Sequence, residues 1–107
     1  MRRSKLEMKG RMIDIDKLPN STRIYLSPIT GSELIKKAIE KAGSKRELVK
    51  NILLYSGRSP DVTKLEKMMM GAYGIPKHRF VRLIRFLGIS NDKIMIYIGE
   101  IKVKKKW

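Results

Sequence analysis

The chain has 107 residues, with 25 Lys and Arg against 10 Asp and Glu, a formal charge of +15 and a pI near 10.3. That length builds one domain, residues 1–107, with a modest core. The lack of Cys and the single histidine, His78, exclude disulfides and any thiolate or multi-histidine metal site. The charge favours a polyanion over most other partners, and no apolar run approaches the roughly 20 residues that span a bilayer.

Residues 1–10 are basic and weakly patterned. They read as a frayed terminus or as a basic arm that tracks phosphates or a minor groove. No apolar signal-peptide region follows Met1-Arg2-Arg3-Ser4-Lys5, so the expected location is the cytoplasm, on the nucleoid. Met12–Asp16 and Arg23–Leu26 are β-prone and flank the turn cluster Leu18-Pro19-Asn20-Ser21, which predicts a β-hairpin over 11–27. Asp14 and Asp16 would share one face of that hairpin. With no His, Ser or metal-ligand motif beside them they read as a solvated strand face, and no enzymatic activity is expected. The absence of Gln and the presence of only three Asn, among many charges, lean towards a thermophilic source.

Four helices follow, separated by glycines. Ser32 is a candidate cap for a helix to Ala42 with Leu34, Ile35, Ala38, Ile39 and Ala42 inward, Lys36, Lys37 and Lys41 outward, and Gly43 as its stop. Ser44 and Glu47 form an S-x-x-E capping box. The helix they open carries Leu48, Ile52 and Tyr55 on one stripe, with Val49 and Leu53 beside it, and is expected to end at Gly57. Ser59-Pro60-Asp61 starts the next, with Val62, Leu65 and Met69 inward, Thr63, Lys64, Lys67 and Met70 outward, and Gly71 as its end. Pro76 opens the last, with Phe80, Leu83 and Leu87 inward and Arg79, Arg82 and Arg85 on a basic face, before Gly88. The triplet Met68-Met69-Met70 suits adaptable core packing, with Met70 placed to touch a thymine methyl or a partner chain.

Beyond the Ser90-Asn91-Asp92 turn, Lys93–Ile98 and Ile101–Lys104 are β-rich and joined by Gly99-Glu100, a strong hairpin signal over 93–104. The two hairpins would form one small sheet beside the helices, or a dimer surface. The tail Lys104-Lys105-Lys106-Trp107 is a solubilising end or a phosphate-tracking one with a stacking aromatic.

Gly43-Ser44-Lys45-Arg46-Glu47-Leu48, the helix ending at Gly71, then Gly74-Ile75-Pro76 and the helix ending Leu87-Gly88-Ile89 together resemble the phage-repressor-like (Cro/C1, Xre) helix-turn-helix family, in an archaeal-like variant, over roughly residues 32–89. The sequence departs from that family at Leu53-Leu54-Tyr55-Ser56-Gly57-Arg58, which adds about a helical turn between the two motif helices. The resemblance implies a four- to five-helix helix-turn-helix bundle over 32–89, and with the N-terminal and C-terminal β-hairpins read above the expected fold is α+β. It implies sequence-specific binding of double-stranded DNA by a homodimeric transcriptional regulator, with the recognition helix, about 59–70, in the major groove.

Arg58, Thr63, Lys64, Lys67 and Met70 are then the candidate base contacts. Ser44, Lys45, Arg46, Ser59, Lys77, His78, Arg79 and Arg82, near helix starts, are the candidate phosphate contacts. No metal, membrane or small-molecule cofactor is expected. Two other partner classes fit the charge: a non-specific architectural or chromatin role, and RNA binding with Tyr25 and Tyr97 as stacking groups on a sheet.

Overall fold

The computed structural model of the protein describes residues 15–56 and 59–103. Its one sheet has three antiparallel strands in the order β2-β1-β3: β1 is Thr22–Leu26, β2 is Ile75–Pro76 and β3 is Ile98–Val103. The principal helices are α1 (Thr30–Ala42), α2 (Lys45–Glu47, running on into a π-helical segment Leu48–Ile52), α3 (Ser59–Met69) and α4 (Lys77–Leu87). A four-residue helix α5 (Asn91–Ile94) leads into β3. The fold is thus mixed α+β.

The core joins all these elements. Ile24 from β1, Leu34, Ile35 and Ala38 from α1, Leu48 and Leu53 around the second helix, Leu65 and Met68 from α3, Phe80 and Leu83 from α4 and Ile101 from β3 are fully or nearly fully buried. Each such side chain contributes about 1.5–3 kcal/mol of transfer free energy, so this cluster supplies most of the drive to fold. Along α3 the fully buried pair is Leu65 and Met68, while the expected inward Val62 and Met69 are only half-buried. Among the described residues no helix is long and apolar enough to cross a membrane.

Three helix ends fall where glycines were read as stops. Gly43, Gly71 and Gly88 all take left-handed φ angles. Gly71 is the most demanding, because a β-carbon there would lie 2.5 Å from the Leu26 carbonyl oxygen. Helix starts fit less closely. α1 begins at Thr30, two residues before the expected cap Ser32. Its early N–H groups are answered by backbone carbonyls (Gly31 N to Ser27 O, 2.9 Å; Glu33 N to Ile29 O, 3.2 Å), and the Thr30 hydroxyl donates to the Ile96 carbonyl.

Ser44 caps α2 as expected, accepting from Glu47 N–H at 3.1 Å. The reciprocal half of the capping box is replaced by Glu47 accepting from the Asn51 amide one turn on. The helix stops short of Gly57, turning out at Leu54, which takes φ 60°.

Neither expected hairpin is seen among the described residues. Within 11–27, Ile15–Lys17 is a 3₁₀ turn rather than a strand, and residues 11–14 lie outside the described residues. Within 93–104, Asn91–Ile94 is helical, and Gly99-Glu100 is no turn but the interior of β3, which runs through to Val103 against β1. Gly99 instead sits at a register break between Tyr25↔Glu100 and Leu26↔Ile98. A β-carbon at Gly99 would lie 3.2 Å from the Ser27 backbone, so the glycine serves a β-bulge at close approach and not a two-residue loop. The reason is that Ile98 and Glu100 pair with Leu26 and Tyr25, which keeps the chain extended through Gly99 so that it cannot fold back there, and residues 93–97 close local backbone bonds instead (Ile96 N to Lys93 O, 3.4 Å; Tyr97 N to Ile94 O, 2.9 Å).

Candidate nucleic-acid interface

α3 presents Thr63 and Lys67 to solvent, and Met70 follows directly after its last residue at 65% exposure. Their spacing of four and three residues aligns them along one face of the helix. The start of α2 lies alongside. A groove of about 450 Å³ is lined by Ser44, Lys45 and Arg46 from α2 and Val62 and Thr63 from α3. It neighbours a second, of about 490 Å³, to which Lys36, Lys45, Glu66 and Met70 contribute. Lys45 Nζ stands 3.3 Å from Glu66 Oε2, an exposed ion pair of the kind worth 1 kcal/mol or less and readily exchanged for a phosphate. Arg46 is exposed. Five of the expected contacts that can be placed (Ser44, Lys45, Arg46, Thr63 and Met70) therefore line or border one continuous surface, and Lys67 extends the stripe.

The other expected contacts are used differently. Lys64 turns away from Thr63 and Lys67. It pairs with Asp61 at 3.2 Å and sits 4.8 Å from the Tyr55 ring centre and 5.8 Å from that of Tyr73. Lys77 Nζ donates to the carbonyls of Asp16 (2.9 Å) and Leu18 (2.7 Å), pinning the 3₁₀ turn to α4. Arg79 Nε donates to Leu53 O (3.0 Å), and Arg82 donates to Ile52 O (2.7 Å) and Asn51 O (3.4 Å). These three carbonyls end the second helix, where acceptors lack intrahelical partners and carry partial negative charge, so the two arginines act as its C-terminal cap. Arg58 lies outside the described residues, and Ser59 is placed only as the first residue of α3.

A further cluster lies at the edge of the sheet, near the start of α4. A cleft of about 410 Å³ opens there, lined by Arg23, Tyr55, Tyr73, His78 and Arg79, with Asn20, Ser21 and Thr22 from the turn before β1 and its first residue, and with Pro76. Arg23 Nη1 donates to Gly74 O at 3.1 Å, and the Arg79 guanidinium lies 3.9 Å from the Tyr55 ring centre. The Thr22 hydroxyl is buried and has no hydrogen-bond partner among the described residues.

Burial, and then the neighbouring Tyr73 hydroxyl, push the Tyr55 phenol well above its ordinary pKa. Burial opposes ionisation of Tyr73 too. There the Tyr55 and Arg23 hydrogen bonds and the Lys64 and Arg23 charges outweigh it, and its pKa falls. Partial desolvation, then the charges of Arg79 and Arg23, lower the pKa of His78, so its imidazole is neutral at pH 7. Positions 23, 55, 73 and 79 belong to four different segments, and no local pattern links them.

Compared with known family models, curated proteins and solved structures, the chain matches none.

Proposed function

We propose that the protein is a sequence-specific regulator that binds double-stranded DNA, with α3 in the major groove and the start of α2 on the phosphate backbone. The observation that supports this most is the exposed stripe Thr63–Lys67–Met70 running beside Ser44, Lys45 and Arg46. In this reading Thr63, Lys67 and Met70 meet base edges, Met70 against a thymine methyl, and Arg46 and Lys45 meet phosphates, Lys45 leaving Glu66 to do so. α2 and α3 are then the helix pair that resembles the repressor-like motif, with 53–58 as its lengthened connection. A homodimer on two half-sites completes the proposal.

A non-specific architectural role has its own support, since exposed Lys36, Lys37, Lys50 and Lys93 are spread over several elements. Titration on random and genomic duplexes at low and moderate salt, with matched RNA as competitor, separates the readings. A regulator keeps a preferred fragment as salt rises, whereas a coating protein loses all fragments together. Equal competition by RNA sinks both.

A further inference from the structure

We propose that the cleft between β1 and the start of α4 is a second anion site, built for a phosphomonoester. It is separate from the α3 surface and does not depend on that surface binding DNA.

The donors come from different parts of the chain and face one volume. Arg23 comes from β1, Ser21 from the turn before it, and His78 and Arg79 from the first turn of α4. Each arginine is anchored by one N–H to a backbone carbonyl, Gly74 or Leu53. A guanidinium carries five N–H donors in a rigid fork, so anchoring one of them orients the group and leaves others for a ligand.

α4 is eleven residues long, and Pro76 at its cap position supplies no side-chain acceptor for the first N–H groups. An anion in the cleft would meet that positive helix end. Among the described residues no carboxylate lines the cleft, so the repulsion between Arg23 and Arg79 is not relieved by these lining residues.

The ligand class follows from the donors. A carboxylate offers two oxygens in one plane, whereas guanidiniums, helix N–H groups and hydroxyls approaching from separate elements suit a tetrahedral dianion. Tyr73 and the volume of about 410 Å³ leave room for an aromatic group attached to it. The phosphate belongs either to a small ester such as a mononucleotide or to the phosphorylated end of a nucleic-acid strand.

His78 is the chain's only histidine, so its imidazole NMR signals report the site without ambiguity. The full chain is titrated with inorganic phosphate, adenosine 5′-monophosphate, and a short single-stranded oligothymidylate bearing either a 5′-phosphate or a 5′-hydroxyl. The expected result is a saturable shift of the His78 signals by phosphomonoester probes, with the His78 pKa rising by about one unit as a dianion settles beside it. Response to the mononucleotide assigns the small ester, and response to the 5′-phosphorylated strand alone assigns the strand end.

Two substitutions test the residues. Arg23→Gln weakens binding about tenfold. Ser21→Asp places a carboxylate at the half-buried mouth of the cleft and abolishes the shift. No saturable shift by any probe up to about 10 mM, an equal shift with the 5′-hydroxyl strand, or an undiminished shift in Ser21→Asp overturns the proposal.

Discussion

The α3 and α4 helices look alike as text, each with basic residues on one side, but they use those residues differently. On α3 and the adjoining start of α2, Lys67 and Arg46 stand in solvent. On α4, Lys77, Arg79 and Arg82 donate to main-chain carbonyls, and Arg85 pairs with Asp16 at 3.3 Å. Lys41 of α1 does the same, donating to Phe86 O at 2.6 Å and lying 5.0 Å from the Phe86 ring centre. Formal charge therefore overstates the donors a partner can engage. Cations near a helix C-terminus are drawn to its unpaired carbonyls, and the rest remain for ligands.

The contrast can be broken or sharpened by substitution. The largest effect is expected at Gly71, which lets α3 turn back to the sheet. Gly71→Ala combines a left-handed φ of 74° with a 2.5 Å clash against Leu26 O, and should cost about 3 kcal/mol in denaturant unfolding and weaken both surfaces with it. Next, Arg79→Ala should cost about 2 kcal/mol and Arg82→Ala about 1 kcal/mol of stability, because each exposes helix-end carbonyls and Arg79 also leaves the Tyr55 ring. If either variant instead keeps the parent's stability and loses DNA binding, the assignment of α4 to structure fails.

Arg46→Ala and Lys67→Ala should do the converse. Their melting should stay within about 0.5 kcal/mol of the parent, while each lowers the slope of log K against log salt by about one. A large stability loss at Lys67 would remove α3's outward stripe from consideration.

Smallest is an acid-limb effect at Asp61. The Ser56 hydroxyl, then Lys64 and the Ser56 N–H, hold its carboxyl below the usual range against an opposing desolvation. A folded-state pKa below the unfolded value of about 3.9 contributes stability that is present above that pH and lost as pH falls through the folded pKa. Asp61→Asn should therefore lower stability slightly near neutrality and flatten the fall below about pH 4, so that the two proteins converge in acid. A profile unaltered by the substitution would mean that Asp61 does not hold the start of α3 to Ser56.

Much of the helical layout was legible in the residues, because its causes are local. Left-handed turns select glycine at 43, 71 and 88, a serine hydroxyl caps at 44, and apolar spacing marked Leu34, Ile35 and Ala38, Leu65, and Phe80 and Leu83 as core. The stripe on α3 was legible for the same reason, though the swing of Lys64 towards Tyr55 and Tyr73 was not. What only the tertiary structure decided is pairing across distance. Thr22–Leu26 takes Ile98–Val103 and Ile75–Pro76 as neighbours, so a Gly-Glu pair that reads locally as a hairpin loop becomes a bulge, and Lys93–Ile94 closes a short helix. The same assembly brings Arg23, Tyr55, Tyr73 and Arg79 to one cleft and sends Arg79 and Arg82 to the end of the second helix. Strand edges and unpaired carbonyls are filled by whichever partners the packed chain brings within reach, and local residue patterns do not encode that choice.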